Sequence, residues 1–407
     1  MYVYMGQLRW KDIVPYEQDF WKKNRIDLIQ DEVIGIEDHK KEIVTALGKS
    51  IRYDKLIIAT GSKSNTLNLP GESASNVCSL YSSQDLEAIT AISSNIGKAV
   101  IIGGGLIGVE LAEMFRSRNI SVTMLVRENG FMDFIFPKEE SDLISEQIRS
   151  HGVDLRLSTE VQRLNASGSN LITSVTTTSG ENIPCDFVGM TIGVSPNISW
   201  LKNTMVETNI GVRIDDFLQT NLPDIYAIGD CAELRTTKPG RNAIEPIWYT
   251  GRMMGETVAH TLTGQPTHYN PGTWFNSAKF FDLEYQVYGD IQPNLPAHQD
   301  SVFCINPKNK RSLRINYLKS GSVIGFNLLG TRFRQAVCEK WIREQTSIEH
   351  VLENLELAVF DPEFSTHDCE QLRVAYAEKI GVKLFAKSKP NYNLVHRFLN
   401  NAIISKK

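Results

Sequence analysis

The 407-residue sequence lacks several features that would assign it to a class at once. No apolar run approaches the ~18 residues that a membrane span needs, and the start, MYVYMGQLRW, has no basic region followed by an apolar block. The net charge of −4 leaves no positive excess that would attract a polyanion. We therefore expect a cytoplasmic protein with no integral membrane segment and no nucleic-acid partner.

The sequence also has little that indicates metal or disulfide chemistry. Its six cysteines are scattered, and none of them stands in a CxxC or Cys/His pattern with metal-ligand spacing. We expect reduced thiols in or near the core and no metal site. Hydrophobic residues make up 42% and charged residues 22% of the chain, as in ordinary globular proteins of two or three domains.

A glycine-rich turn stands about a hundred residues into the chain, in the stretch AVIIGGGLIGVELAEMF. A strand is predicted over 98–102, a helix from the glycines to Asn119, and another strand over 120–126. In this context Gly103, Gly105 and Gly108 permit a tight turn and the close approach of a diphosphate to the helix N-terminus. The alternative is a turn that only packs the helix on the strand.

Two charged residues after the second strand bear on the choice of nicotinamide cofactor. Dinucleotide folds place a ribose contact about 20 residues beyond the glycines, and here Arg127 and Glu128 occupy that place. A guanidinium can pair with a 2′-phosphate, whereas a carboxylate can accept from ribose hydroxyls. The pair slightly favours NADPH over NADH, and a solvated surface arginine beside a glutamate is the alternative.

One unit of the sequence occurs twice. Four residues match at a constant separation of 132 positions: Ile51 with Ile183, Asp54 with Asp186, Gly61 with Gly193, and Asn65 with Asn197. Upstream, residues 26–36 resemble 153–164. Each copy is predicted to be an antiparallel meander leading into a buried strand that ends at a glycine beside a cofactor. A glycine turn at the same offset in the first copy would precede residue 1, so the first hundred residues look like the end of a dinucleotide-binding domain whose phosphate loop is absent.

A third segment, TNLPDIYAIGDCAE, predicts a strand over 225–228 that ends at Gly229 and Asp230. A carboxylate at a strand end can accept hydrogen bonds from a polyol. A helix is predicted over 249–264, where its first turn could face a phosphate or a flavin edge.

The segments LIIATGS, VIIGGGLIGVELAE and IYAIGDCAE occur in that order. They resemble the flavoproteins of the pyridine nucleotide-disulphide oxidoreductase superfamily, over roughly residues 1–265. NADH oxidases, nitrite reductases and rubredoxin or ferredoxin reductases are the most similar branches. The resemblance implies FAD and NAD(P)H as cofactors, with Thr60 and Gly61 in the wall of the FAD domain and Asp230 as partner of the ribityl chain. It also implies that Glu110 lies near nicotinamide and flavin, although a carboxylate in the first helical turn has a general alternative in the helix dipole.

Two departures from the family pattern are visible. The N-terminal GxGxxG that holds the FAD diphosphate and the acid after the second strand have no counterpart, and no cysteine stands in the pattern of the disulphide-reducing branches. Disulphide reduction is therefore not expected. Cys231 could touch FAD or be a small buried thiol.

The pattern changes at about residue 266. Strands are predicted within 274–290 and 312–330, and helix over 332–356. This part resembles the C-terminal interface domain of the family, which implies a homodimer. The end of the chain, NYNLVHRFLNNAIISKK, predicts a terminal helix, with docking at a membrane surface as the alternative.

The predicted fold class is α/β, with two Rossmann-like dinucleotide-binding domains, the first N-terminally incomplete, and an α+β C-terminal interface domain. We expect an FAD-binding part over 1–80, an NAD(P)H-binding domain over 81–205, a second FAD-binding part over 206–265 and the interface domain over 266–407. The functional hypothesis is an FAD-dependent NAD(P)H oxidoreductase that passes electrons to an unidentified small molecule or redox protein. The alternative is a truncated or inactive nucleotide-binding protein that does not retain FAD. The candidate site residues are Thr60, Gly61, Gly103, Gly105, Gly108, Glu110, Arg127, Glu128, Gly193, Gly229 and Asp230.

Overall fold

The computed structural model describes residues 1–17, 19–168, 170–238, 240–361 and 368–387. The helix predicted at the end of the chain lies outside these residues. The chain divides into two compact units, the first built from Met1–Arg127 and Thr159–Gly272, and the second from Glu128–Ser158 and the chain after Gly272. Within the described ranges, no helix combines the length and the apolar character needed to cross a membrane.

Helices and strands are numbered along the chain. The helices of the described residues are α1 (Trp10–Ile13), α2 (Phe20–Lys23), α3 (Ser83–Ile92), α4 (Leu106–Ser117), α5 (Lys138–Ser150), α6 (Trp248–Leu262), α7 (Gln335–Arg343), α8 (Ile348–Glu353) and α9 (Cys369–Ile380). The strands are β1 (Val33–Glu37), β2 (Glu42–Thr45), β3 (Ser50–Arg52), β4 (Leu56–Ile58), β5 (Ser62–Ser64), β6 (Val77–Cys78), β7 (Lys98–Ile102), β8 (Ser121–Leu125), β9 (Val153–Arg156), β10 (Val161–Ala166), β11 (Ile172–Thr177), β12 (Asn182–Pro184), β13 (Phe187–Met190), β14 (Val194–Pro196), β15 (Val212–Ile214), β16 (Ile225–Ala227), β17 (Ala232–Leu234), β18 (Phe275–Phe280), β19 (Leu283–Gly289), β20 (Gln299–Asn306), β21 (Arg311–Leu318) and β22 (Val323–Leu329).

The glycine turn lies in the first unit, between β7 and α4. Four strands of this unit run parallel in the order β6-β13-β7-β8. All of β7 after Lys98 is buried, as expected of a central parallel strand with both faces covered. Helix α4 buries Leu111, Met114 and Phe115, and the Phe115 ring packs edge-on against Phe187 at 4.9 Å. The predicted strand, turn, helix and strand are confirmed.

The predicted repeat is visible as two equivalent meanders. Strands β1, β2 and β3 form one three-stranded sheet, and β10, β11 and β12 form another. β3 and β12 lie 132 positions apart, as do β5 and β14. Each meander leads into a strand that joins a parallel pair, β4 in the first copy and β13 in the second.

The two copies meet at an antiparallel ribbon formed by β5 and β14. The Asn65 N–H donates to the Gly193 carbonyl at 3.1 Å, and the Asn197 N–H donates to the Gly61 carbonyl at 2.9 Å. These four residues are equivalent in pairs, so each copy bonds to the other in the same way. The ribbon is therefore a local two-fold junction between the copies.

The surroundings of β4 and β13 differ. β13 has strands on both edges, β6 and β7, whereas β4 pairs only with β16 among the described residues. Ile57 in β4 is 39% exposed. Its counterpart Gly189 lies so close to α4 that an added Cβ would be 2.5 Å from Leu111 Cδ2. The first copy thus presents an open strand edge and an uncovered apolar side chain.

The second unit contains a five-stranded antiparallel sheet in the order β18-β19-β22-β21-β20. Ile315 and Phe326 of this sheet belong to one core with Val351 and Leu352 of α8. The single helical run predicted over 332–356 is wrong, because α7 ends at Arg343 and α8 begins at Ile348. Gln345 between them has φ +51°, and the Ser347 hydroxyl accepts from the His350 N–H as a new N-cap.

A buried ion cluster joins α5 to β21 within this second unit. The Arg314 guanidinium donates to Glu140 through Nε at 2.7 Å and Nη2 at 2.9 Å. Nη2 also reaches Glu139 at 2.9 Å, and Ser312 donates to Glu140 at 3.1 Å. Glu140 is fully buried, so its charge depends on these donors.

We expect Arg314→Met to lower the free energy of unfolding by about 3–5 kcal/mol, because it leaves the Glu140 carboxylate buried without its cation. Urea denaturation measures this change. Arg332→Met is the matched control, because Arg332 pairs with Glu284 at an exposed site, and it should change stability by less than about 1 kcal/mol. Equal losses in the two variants would contradict a special role for the buried cluster.

Candidate functional site

The three glycines of the turn differ in how much space a side chain would find. Gly103 has φ +114°, and a Cβ there would lie 2.3 Å from the Thr191 carbonyl oxygen. A Cβ on Gly108 would lie 2.6 Å from the Gly103 carbonyl oxygen, whereas no atom lies within 4 Å of the corresponding position on Gly105. Gly103 and Gly108 are therefore required by the protein itself, while Gly105 faces open space at the start of α4, where a diphosphate can approach the amides.

Thr191 links the glycine turn to the end of β13. Its N–H donates to the Ile102 carbonyl at 2.9 Å, and its hydroxyl lies 3.0 Å from that carbonyl and 3.2 Å from the Gly103 carbonyl. Two residues later, Gly193 is exposed with φ +90°. The structure thus brings Gly193 and the glycine turn to the carboxyl ends of adjacent parallel strands, where open α/β sheets bind ligands.

The charged candidates of this site are placed as follows. Arg127 is exposed and lies two residues beyond the end of β8. It is the last residue of the first segment of the first unit, and Glu128 is the first residue of the second unit. Glu110 is exposed in α4, which begins at Leu106. The predicted position of Glu110 in the first helical turn is wrong, because Glu110 lies in the second turn of α4. The helix dipole acts mainly within the first turn, so this alternative explanation for Glu110 loses its basis.

A second candidate site is a cavity of about 900 Å³ within the first unit. It contains Gly61, Gly229 and Asp230, which come from distant parts of the sequence. Its full lining is Tyr16, Ala59, Gly61, Tyr81, Ile228, Gly229, Asp230, Ile247, Trp248, Gly251, Arg252, Gly255, Glu256 and Ala259. Thr60 is not part of this lining, because its hydroxyl donates to the Asn197 carbonyl at 2.9 Å in the ribbon junction.

Two neutral hydroxyl groups orient the Asp230 carboxylate. Ser62 Oγ lies 3.1 Å and the Tyr81 hydroxyl 3.4 Å from Asp230 Oδ2, and the Tyr81 oxygen accepts from the Ser62 N–H at 2.8 Å. Both contacts use Oδ2, and no hydrogen bond within the described ranges reaches Oδ1, which can accept from ligand hydroxyls. Tyr81 and Ser62 could not be predicted from the sequence, because neither stands in a motif and only the fold brings them to Asp230.

Helix α6 forms one wall of the cavity with small side chains. Gly251, Gly255 and Ala259 recur every fourth residue and so share one side of the helix. A Cβ on Gly251 would lie 3.6 Å from the Gly229 Cα, which shows how closely this wall approaches the turn after β16. The small residues leave room for a planar ring against the helix backbone, while Arg252 and Glu256 of the same helix add charged side chains to the lining. Trp248, at the start of α6, lines the cavity and is 69% exposed.

Cys231 lies behind this cavity rather than in its lining. Its thiol donates to the Ile58 carbonyl at 3.5 Å or the Ile228 carbonyl at 3.4 Å. Burial raises the pKa of the Cys231 thiol, which keeps it neutral at ordinary pH. These contacts favour the small buried thiol over a flavin contact.

Both sites fall within a single match to a protein family. The family model described as pyridine nucleotide-disulphide oxidoreductase matches residues 9–259. The chain belongs to this family. Membership confirms the predicted flavoprotein oxidoreductase with FAD and NAD(P)H as cofactors.

Individual relatives of the pyridine nucleotide-disulphide oxidoreductase family show how far the similarity extends. The chain is 30% identical to the 5,5′-dehydrodivanillate O-demethylase ferredoxin reductase subunit of Sphingobium sp., over 76% of this chain and 74% of that protein. It is 29% identical to NADH-rubredoxin oxidoreductase of Clostridium acetobutylicum, over 84% and 85%. The solved NAD-dependent persulfide reductase from A. fulgidus superposes with a TM-score of 0.81 at 24% identity, covering 93% of this chain and 76% of that chain. The predicted fold class is confirmed.

We expect opposite behaviour from alanine at two of the glycines. Gly103→Ala should destabilise the protein, because its Cβ would collide with the Thr191 carbonyl in a left-handed conformation. Gly105→Ala should leave thermal unfolding nearly unchanged but weaken NAD(P)H binding roughly tenfold or more, because its Cβ would occupy the diphosphate approach. Calorimetry measures the thermal stability of the two variants, and titration of NAD(P)H fluorescence measures their affinity. Unchanged NAD(P)H affinity in Gly105→Ala would contradict the assignment of this turn.

Proposed function

We propose that this flavoprotein takes a hydride from NAD(P)H and passes electrons to a redox protein of the ferredoxin or rubredoxin type. The observation that supports the proposal is the β5–β14 ribbon, at which Gly61 of the cavity lining accepts from Asn197 and Gly193, beside the glycine turn, accepts from Asn65. The acceptor class rests on two relatives, which are named as a ferredoxin reductase subunit and a rubredoxin oxidoreductase. The predicted homodimer remains a prediction.

On the nicotinamide side, we assign the diphosphate to the amides at the start of α4. The first amides of a helix have no partner within the helix and carry a positive dipole end, and Gly105 lets the anion come close. Arg127 would pair with a 2′-phosphate and Glu128 would accept from ribose hydroxyls. Gly193 and Glu110 would lie on the side of the nicotinamide ring.

On the flavin side, Asp230 Oδ1 would accept from the ribityl hydroxyls, while the backbone at Gly61 and Gly229 and the small residues of α6 would flank the ring system. The lining fits this part of FAD, because it combines one oriented carboxylate with a row of small residues on α6 that leaves room for a ring. FAD, when bound, accepts the hydride and releases electrons onward. The protein positions the partners and excludes water, so a separate acid–base group is not required.

A second candidate is a chain that folds but does not retain FAD by itself. It is favoured by the edge of β4 that has no partner strand in the described part of the chain, and by the exposed apolar side chains of the first copy. Ile26 and Leu28 are 43% and 67% exposed, whereas their counterparts Val153 and Leu155 are buried. In dinucleotide folds the glycine turn that contacts a diphosphate follows a strand of the sheet, and among the described residues β4 pairs only with β16.

Flavin content decides between the two candidates. We expect the purified 407-residue protein to release near-stoichiometric FAD on denaturation, and its absorbance to bleach anaerobically with NAD(P)H. Asp230→Ala should lower the FAD content severalfold, since one charge-assisted contact contributes about 1.5–3 kcal/mol. Asp216→Ala is the control, because this carboxylate is exposed and outside the cavity. A folded but colourless protein would support the second candidate instead.

The choice of nicotinamide cofactor rests on Arg127. We expect Arg127→Glu to weaken NADPH binding more than NADH binding, because it replaces a cation for the 2′-phosphate by a like charge. The ratio of the two dissociation constants is the measurement, and NADH serves as the internal control. Equal losses for both cofactors would remove Arg127 from the 2′-phosphate contact.

A further inference from the structure

The side chain of Asn65 reaches from the first copy of the repeat to the second. Its Nδ2 donates to the Ile192 carbonyl at 3.4 Å, and its Oδ1 accepts from the Ser195 hydroxyl at 2.6 Å. Its main-chain N–H donates to the Gly193 carbonyl. Because the Ile192 carbonyl can only accept, the amide nitrogen must face it, and the Ser195 hydroxyl holds the amide in that orientation.

The backbone that Asn65 holds is the segment between Thr191 and Val194, beside the glycine turn. Thr191 contacts the Gly103 carbonyl at the start of this segment, and Gly193 is exposed in a left-handed conformation at its end. Glycine allows such a conformation but does not select it, since it populates many others. Three hydrogen bonds from one asparagine and its serine partner restrict that freedom.

We propose that Asn65 is a positioning residue for the nicotinamide cofactor: it fixes the Ile192–Gly193 backbone as a preformed wall beside the glycine turn, although it belongs to the FAD-side copy. The inference rests on the proposed function, because it takes the glycine turn as the NAD(P)H site. Preforming a wall lowers the ordering cost of binding and so raises affinity. Asn65 acts through the backbone and does not contact the cofactor.

The repeat supplies a matched control at the equivalent position. Asn197 makes its contacts to Gly61 and Thr60 through main-chain atoms, and no hydrogen bond of its side chain occurs among the described residues. Both asparagines are half-buried in the same ribbon. Asn65→Leu and Asn197→Leu therefore make the same change of similar volume at equivalent places, but only the first removes a bond to the segment beside the glycine turn.

The experiment titrates NADH and NADPH into each variant and follows nucleotide fluorescence, which does not require turnover. We expect Asn65→Leu to raise the dissociation constants of both roughly three- to tenfold, as for the loss of one or two neutral hydrogen bonds, and Asn197→Leu to leave them within about twofold. FAD content should be the same in both variants. Ser195→Ala, which releases the amide but keeps its donor, should give a smaller rise than Asn65→Leu.

The outcomes separate this inference from the proposed function. Equal dissociation constants for the two leucine variants would overturn the role of Asn65 while leaving the nucleotide site intact. If the protein without any substitution binds neither NADH nor NADPH, the assignment of the nucleotide site is wrong, and the inference about Asn65 is wrong with it. If Asn65→Leu does not fold, Ser195→Ala carries the test, and affinity equal to that of the unchanged protein would then count against the proposal.

Discussion

The arrangement of both candidate sites depends on one short antiparallel contact between the two copies of the repeat. Strands β5 and β14 have three residues each, too few to be stable as an isolated pair. Each follows a glycine with positive φ, Gly61 or Gly193, and each glycine carbonyl accepts from the asparagine of the other copy. The direction of each glycine carbonyl therefore depends on the register of the ribbon, and the register depends on the two glycine bends. Because Gly61 lines the cavity and Gly193 lies beside the glycine turn, a shift of this register would move both walls together.

The same repeated unit serves two purposes because its surroundings differ. In the second copy, β13 lies between two parallel strands and faces α4, so even a single Cβ on Gly189 has no room. In the first copy, β4 meets one partner within the described chain, and Ile57 faces solvent. The repeat thus conserves backbone geometry while burial is decided by the neighbours.

The sequence allowed several features to be predicted because their causes are local. The periodicity of α4, the apolar run of β7 and the two meanders each arise from neighbouring residues. The features that were predicted wrongly, or not predicted, depend on contacts between distant parts of the chain. The break between α7 and α8 is held by a distant part of the chain, because the Val323 N–H donates to the Thr346 carbonyl and the Ile348 N–H donates to the Gly321 carbonyl. The buried pair of Arg314 with Glu140 links residues that no pattern connects.

The sequence by itself determined the positions of the glycine turn and of the carboxylate that follows a strand. Gly103, Gly108 and Asp230 could be identified because the spacing of the glycines and the apolar strand before each motif lie within a few residues. Only the tertiary structure decided which groups meet them. Tyr81 contacts Asp230 and Asn65 contacts Ile192. These residues lie far apart in the chain, and no sequence pattern links them. The physical reason is that each contact joins residues more than a hundred positions apart, which meet only when the chain has folded.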